Sequence, residues 1–373
     1  MNTPTSMERL TLREFFLFAL VIVITTLACI AAAEVGTRIA FPEQLVDHCS
    51  GGPGLLGHKA DCELRLKAAE GSWIDFRFNE CGFRSPSCAP TSGPRLVSIG
   101  SSTSFGYLVS YDDTWSVKAA RALSKECGTP IDVQNTGGED AWGDLNVVTA
   151  RASELKKLNP TAVALVITPF DLFRAQPEGT DPAAIIAAAR GQGEARKLGP
   201  LERARVLLKE SRATQMAQHY LFGNPDIYIN SYLLLGDKAD FLREPLTLRW
   251  QKRLEHLDHA VRTIAEHAAA ASAPLYLVLA PTEAQAELLG ERNQQRAKVD
   301  ASLLVHEVRA IATRNQAVFV DATTPFEQVK DTQDYFYRSE GHLNSLGHAV
   351  LAQAMITAVE KSNGIQQLCR NAR

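Results

Sequence analysis

The spacing of apolar residues changes along this chain, and each spacing predicts an element. From Phe15 to Ala33 the sequence reads FFLFALVIVITTLACIAAA, without one charge. As a helix these 19 residues rise roughly 28 Å, close to the ~30 Å hydrocarbon core of a bilayer. Lipid offers backbone polar groups no partner, so a helix is the state such a run predicts. Phe41 to Lys59 is rich in Gly and Pro and reads as irregular. Cys62 to Ala69 reads as a short helix or strand.

Beyond this point short apolar runs alternate with helical periodicity. Arg95–Ile99 (RLVSI), bounded by Gly93-Pro94 and Gly100, predicts a buried strand, and Pro130–Val133 a second. Thr161–Thr168 (TAVALVIT) is continuously apolar and β-branched, the pattern of a strand covered on both faces. PLYLVLAP, from Pro274 to Pro281, predicts a fourth strand and Ala317–Val320 a fifth. Helical spacing runs through Asp113–Leu123, Asn146–Leu158 and Ser345–Glu360, the last introduced by Asn344 or Ser345 as N-cap. Strands alternating with helices predict an α/β, three-layer sandwich around a mostly parallel sheet of about five strands. The long interval between the third and fourth strands, 171–273, reads as a largely helical insertion with breaks near Gly191, Gly199 and Gly223.

The ends of the apolar run give it a direction. Arg9 and Arg13 precede it, which places the N-terminus in the cytoplasm. Ala31, Ala32 and Ala33 would also suit a signal peptidase, but the run exceeds the usual h-region of about 7–15 residues. A retained anchor is therefore favoured over a cleaved signal peptide. The expected organisation is a cytoplasmic N-terminus at 1–14, a transmembrane anchor at 15–33, a linker at 34–72 and one domain at 73–373. That is a single-pass inner-membrane protein with its soluble part periplasmic or extracellular.

Composition narrows the classes without naming one. The 373 residues carry a net charge of -3, with 45% hydrophobic and 22% charged residues. A basic face for nucleic acid is not expected from this balance. Of seven cysteines, Cys29 lies in the apolar run and six follow it. In an oxidising compartment Cys49, Cys62, Cys81, Cys88, Cys127 and Cys369 could form three disulfides; otherwise they are free thiols. Connectivity is open, although Cys49–Cys62 and Cys81–Cys88 close the shortest loops. No C-x-x-C or histidine cluster predicts a metal.

Ligands of an open α/β sheet bind beyond the carboxyl ends of its strands. Ser101-Ser102-Thr103-Ser104 follows the first strand, Asn135-Thr136-Gly137-Gly138 the second, and Thr168-Pro169-Phe170-Asp171 the third. Ser339-Glu340-Gly341-His342 precedes the last helix. Serine, glycine turn and histidine thus converge on one edge, the raw material for a nucleophile, its base and an oxyanion site.

In order and spacing these segments resemble the SGNH/GDSL hydrolases. LVSIGSSTSFG is similar to their G-D-S block and VQNTGG to their second block. VITPFD stands at the G-x-N-D position and SEGHLNSLGH at the D-x-x-H position. FRFNECGFRSP is similar to the N-x-x-G-F-R stretch of membrane-anchored bacterial members. The resemblance covers roughly residues 73–361 and implies a flavodoxin-like sandwich. It also implies Ser102 as nucleophile, His342 as general base, and the backbone N–H groups of Ser102 and Gly137 as oxyanion donors. The implied substrates are acylated glycans or small esters, with no cofactor and no nucleic acid; no protein partner is indicated.

Several positions depart from the family pattern. Ser101 stands where an Asp usually precedes the nucleophile. Phe170 stands where an Asn supplies the third oxyanion donor. Ser339 stands where an Asp orients the histidine, leaving Glu340 or Asp334 as replacement carboxylates. Asp171 keeps its block position, with a structural role expected. Removing one oxyanion donor costs about 10²–10³ in rate and losing the triad carboxylate about 10⁴. The alternative to an esterase or O-acyltransferase is therefore a binding or assembly module on the same fold. In that case Ser102 is a turn residue and His342 a solvated loop histidine. His348 reads as a helix-face residue.

Overall fold

The computed structural model describes residues 11–369 apart from 46, 50–57, 90, 139, 190–198, 200–202, 204–207, 209–210 and 291–298. The apolar run belongs to a helix of 29 residues, Leu12–Ala40, opened by a capping box between Thr11 and Glu14. Its apolar side chains, Phe15 to Ile30, lie exposed rather than packed in the core. Among the described residues one helix is thus long and apolar enough to cross a membrane, a test that a signal sequence also passes. The helix outruns the apolar stretch by two turns. There Glu34 accepts hydrogen bonds from Ser211 Oγ (2.8 Å) and the N–H groups of Arg212 (3.1 Å) and Ala213 (3.0 Å). It thereby satisfies the open N-terminus of the helix Arg212–Leu221.

Two short strands come next, β1 (Glu63–Leu66) and β2 (Ile74–Arg77), paired antiparallel. They alternate outward and inward, and the inward Leu64, Leu66, Ile74 and Phe76 pack with Phe78 on Phe105. The stretch expected as linker thus holds part of a folded hairpin. Its period-two pattern spans only four residues a strand, too short to separate from a turn in the sequence.

The main sheet is wholly parallel: β3 (Arg95–Gly100), β4 (Asp132–Asn135), β5 (Ala162–Ile167), β6 (Leu275–Leu279) and β7 (Val318–Asp321), in the order β4-β3-β5-β6-β7. All five strands lie on the apolar runs of the sequence. β5 shows why its run is unbroken: Val163, Leu165 and Ile167 face one core, while Ala162, Ala164 and Val166 face the other. The first core takes the helix Leu248–Ala270 through Leu257, Val261 and Ile264. The second takes Trp115–Cys127 and Ser345–Lys361 through Trp115, Leu123, Leu351 and Met355. The chain order reverses between β3 and β5, which opens a crevice at their carboxyl ends.

The described residues of the interval after β5 include the helices Pro169–Arg174, Pro182–Ala189, Arg212–Leu221 and Pro225–Leu233; the break expected near Gly191 lies outside the described residues. Three disulfides close the chain beyond the apolar helix: Cys49–Cys62, Cys81–Cys88 and Cys127–Cys369, the last across 242 residues.

Candidate active site

The chain leaves β3 at Gly100 and enters a one-turn helix, Ser102–Phe105, with Ser101 as its N-cap. A first turn leaves N–H groups without intrahelical acceptors, so the Ser102 backbone is suited to meet an anion. This turn is held from below by the N-x-x-G-F-R stretch. Asn79 Oδ1 accepts from the N–H groups of Cys81 and Phe83, both at 3.0 Å, and shapes the bend. Arg84 is then aimed inward. Its guanidinium donates to the carbonyls of Phe105 (3.0 Å), Gly106 (2.6 Å) and Val109 (2.6 Å) and lies 4.1 Å from the Phe76 ring centre. Asn135, at the end of β4, adds Nδ2 donations to Ser104 O (3.0 Å) and Phe105 O (3.1 Å).

His342 reaches the same place from the far end of the chain. Its loop is a tight excursion in which Tyr337 N–H donates to His342 O at 2.8 Å and Phe336 bridges Leu343. The edge of the Tyr107 ring lies against the imidazole, ring centres 5.0 Å apart. His342 Nε2 comes within 3.1 Å of Ser102 Oγ. That distance is in reach for a base and a nucleophile, across 240 residues of sequence.

Ser102 opens onto a cleft of about 410 Å³ at the β3–β5 crevice. Gly143, Asp144, Phe170, Asp171 and Arg174 share its wall. Gly143 presses on the turn: a Cβ there would fall 2.6 Å from Ser101 Cβ, so only glycine lets the chain come so close. Asp144 is occupied with capping, accepting from Asn146 N–H (2.9 Å) and Gln176 N–H (2.7 Å). Asp171 closes a capping box with Thr168. Burial pushes its carboxyl up, against the hydroxyls of Ser101 and Thr168 that face it. The structural role expected for Asp171 fits this geometry. Phe170 does not plug the site: it is 37% exposed on the cleft wall, with Arg174 and Lys238 over its ring at 5.3 and 5.0 Å.

Gly137 is placed differently from expectation. Its N–H donates to Asn135 Oδ1 at 3.1 Å, and a Cβ on it would meet Phe105 N at 2.6 Å. It packs behind the turn that carries Ser102, while Gly143, six residues on, lines the cleft. The only hint in the sequence was the Gly-Asp pair opening a helix.

The remaining carboxylate candidates divide. Ser339 is engaged with Glu70, donating from N and Oγ to Oε1 at 2.8 Å each. Asp334 lines a separate cavity of about 220 Å³ with Gly223 and Arg338. Glu340 gives its N–H to Tyr337 O (3.1 Å) and Glu70 (3.3 Å). Glu70 itself, in the β1–β2 bend, had no signal in the sequence. His348 lies on the buried face of the helix Ser345–Lys361, and its Nδ1 accepts the Trp115 N–H at 3.2 Å, capping the helix Trp115–Cys127. Burial, aided by the nearby Arg84 charge, lowers its pKa to about 3, so it stays neutral.

No family model matches the chain, and no curated protein does. Solved structures do. An acetyl-xylooligosaccharide esterase from Geobacillus Stearmophilus is 14% identical, over 72% of this chain and 94% of its own, with a TM-score of 0.39. A lipase/acylhydrolase from Enterococcus faecalis is 12% identical over 72% and 96%, also at 0.39. A GDSL-like lipase from Bacteroides thetaiotaomicron is 16% identical over 72% and 89%, at 0.32.

Proposed function

We propose that this chain is a membrane-tethered serine esterase or O-acyltransferase of SGNH/GDSL type, acting on ester groups of envelope or exported glycans. One observation carries the reading: Ser102 Oγ and His342 Nε2 meet at 3.1 Å beside an open cleft at the switch point of a parallel sheet. His342 takes the Ser102 proton as Oγ attacks the ester carbonyl. The N–H groups of Ser102 and Gly143 receive the oxyanion; Gly143 takes the role first expected of Gly137. His342 then hands the proton to the departing alcohol, leaving an acyl-serine. Water, or an acceptor hydroxyl of a second glycan, attacks that ester with His342 again as base, and Ser102 is regenerated. Glu340 is the sequence-adjacent carboxylate that could support the imidazolium.

The tether rests on the N-terminal helix, and the three disulfides suit an oxidising compartment. A second reading, a binding module that kept the fold, is favoured by Phe170 in place of a donor amide and by Ser339, in place of an aspartate, giving its donors to Glu70. The test is hydrolysis of p-nitrophenyl acetate by the full-length protein in mild detergent, beside Ser102→Ala. The esterase reading expects a loss of at least about 10³-fold in kcat. A wild type no faster than the variant, with water or with added sugar acceptors, would refute the chemistry and favour the binding module.

A further inference from the structure

Glu70 sits in the bend between β1 and β2 with its side chain only 6% exposed. Oε1 collects three donors from the tip of the His342 loop: Ser339 N–H at 2.8 Å, Ser339 Oγ at 2.8 Å and Glu340 N–H at 3.3 Å. Oε2 lies 2.6 Å from His219 Nδ1, on the helix Arg212–Leu221. One carboxylate from the N-terminal hairpin thus joins the helical insertion to the loop that carries the base.

We propose that Glu70 is a positioning residue for His342. The inference rests on the serine-esterase reading. Tyr337 closes the loop from within, giving its N–H to His342 O at 2.8 Å and accepting from Glu340 N–H at 3.1 Å and Gly341 N–H at 2.5 Å, and the tip turns through Gly341 at φ +70°; the Ser339 N–H and hydroxyl both go to Glu70. Two successive N–H groups at that tip converge on a single oxygen. An acceptor there fixes the path of the backbone from Ser339 to His342, and the imidazole with it. Serine at 339 suits this arrangement, since its hydroxyl is a third donor to Glu70 where an aspartate would repel it. The loop is thereby ordered from outside by a carboxylate 269 residues away in sequence.

The carboxylate acts here through reach, so two conservative variants separate reach from charge. Glu70→Gln keeps the length and an acceptor oxygen; Glu70→Asp keeps the charge and is shorter by about 1.5 Å. Both are measured as full-length protein in mild detergent, for kcat and KM on p-nitrophenyl acetate and for amide hydrogen exchange across residues 336–344. A misplacement of about 1 Å can cost about 10²-fold in rate. The expected result is a kcat loss of about 10- to 100-fold in Glu70→Asp at nearly unchanged KM, with faster exchange at Ser339 and Glu340. Glu70→Gln should retain most of kcat and the slow exchange. Unchanged exchange in Glu70→Asp overturns the proposal, as does a Glu70→Gln loss equal to or greater than that of Glu70→Asp. If the wild type turns over no ester, the esterase reading fails by itself; the exchange measurement still decides whether Glu70 fixes the loop.

Discussion

Replacing Arg84 with methionine would test how the turn carrying Ser102 is held. The methionine keeps an apolar stem against the Phe76 ring and deletes the guanidinium. Three buried carbonyls lose a charge-assisted donor, but unequally. Phe105 O still receives Asn135 Nδ2 at 3.1 Å, and Gly106 O still receives Val109 N–H at 3.3 Å. Val109 O loses the donor that served it at 2.6 Å. A buried acceptor left without a partner costs about 1–3 kcal/mol, and each weakened bond at the other two about 0.5–1.5. Relief from burying a cation offsets part of this. The net loss expected is about 2–3 kcal/mol, or roughly 3–4 °C in melting temperature for a chain of this size. Thermal unfolding of wild type and variant in the same detergent, followed by tryptophan fluorescence, measures it. Arg84→Lys should recover little, because one ammonium cannot span three carbonyls as the planar fork does. A melting point within about 1 °C of wild type in Arg84→Met would refute the clamp.

Two further outcomes are expected. Because the folded-state pKa of His348 is lowered to about 3 from 6.5, the unfolded chain binds more protons between those values. Its contribution is therefore complete above about pH 6.5 and is lost as the pH falls toward 3, which denaturant titrations at pH 7 and pH 4.5 would reveal as a drop that His348→Asn diminishes. Cys369→Ser opens the bond that closes 242 residues between the helix Trp115–Cys127 and the C-terminus. It should lower stability by about 3–5 kcal/mol, read as a fall in melting temperature under non-reducing conditions; reductant, which opens all three bonds, should lower the wild type at least as far.

Much of this protein was legible along the chain. The apolar helix, all five sheet strands and the closing helix announce themselves through local periodicity, because burial on two faces leaves a strand like β5 no polar position. Ser102 and His342 stood out in short blocks of fixed order, one after the first strand of the main sheet and one before the last helix, and the fold brings them within 3.1 Å. The residues that complete the site were not. Gly143 and Gly137 are both glycines in a loop after β4, and only packing against Ser101 or Phe105 decides which one faces the cleft. Arg84 was marked only as part of the N-x-x-G-F-R stretch, with no hint of its partners, and Glu70 is a single charge in a short turn, with no period to distinguish it from a solvated side chain. Each gains its role from partners brought near by folding: three carbonyls after the nucleophile turn for Arg84, and the tip of a loop 269 residues on for Glu70. Local pattern reports which face of an element is buried; which polar groups meet there is set by how distant elements dock, and that information is held in the tertiary structure alone.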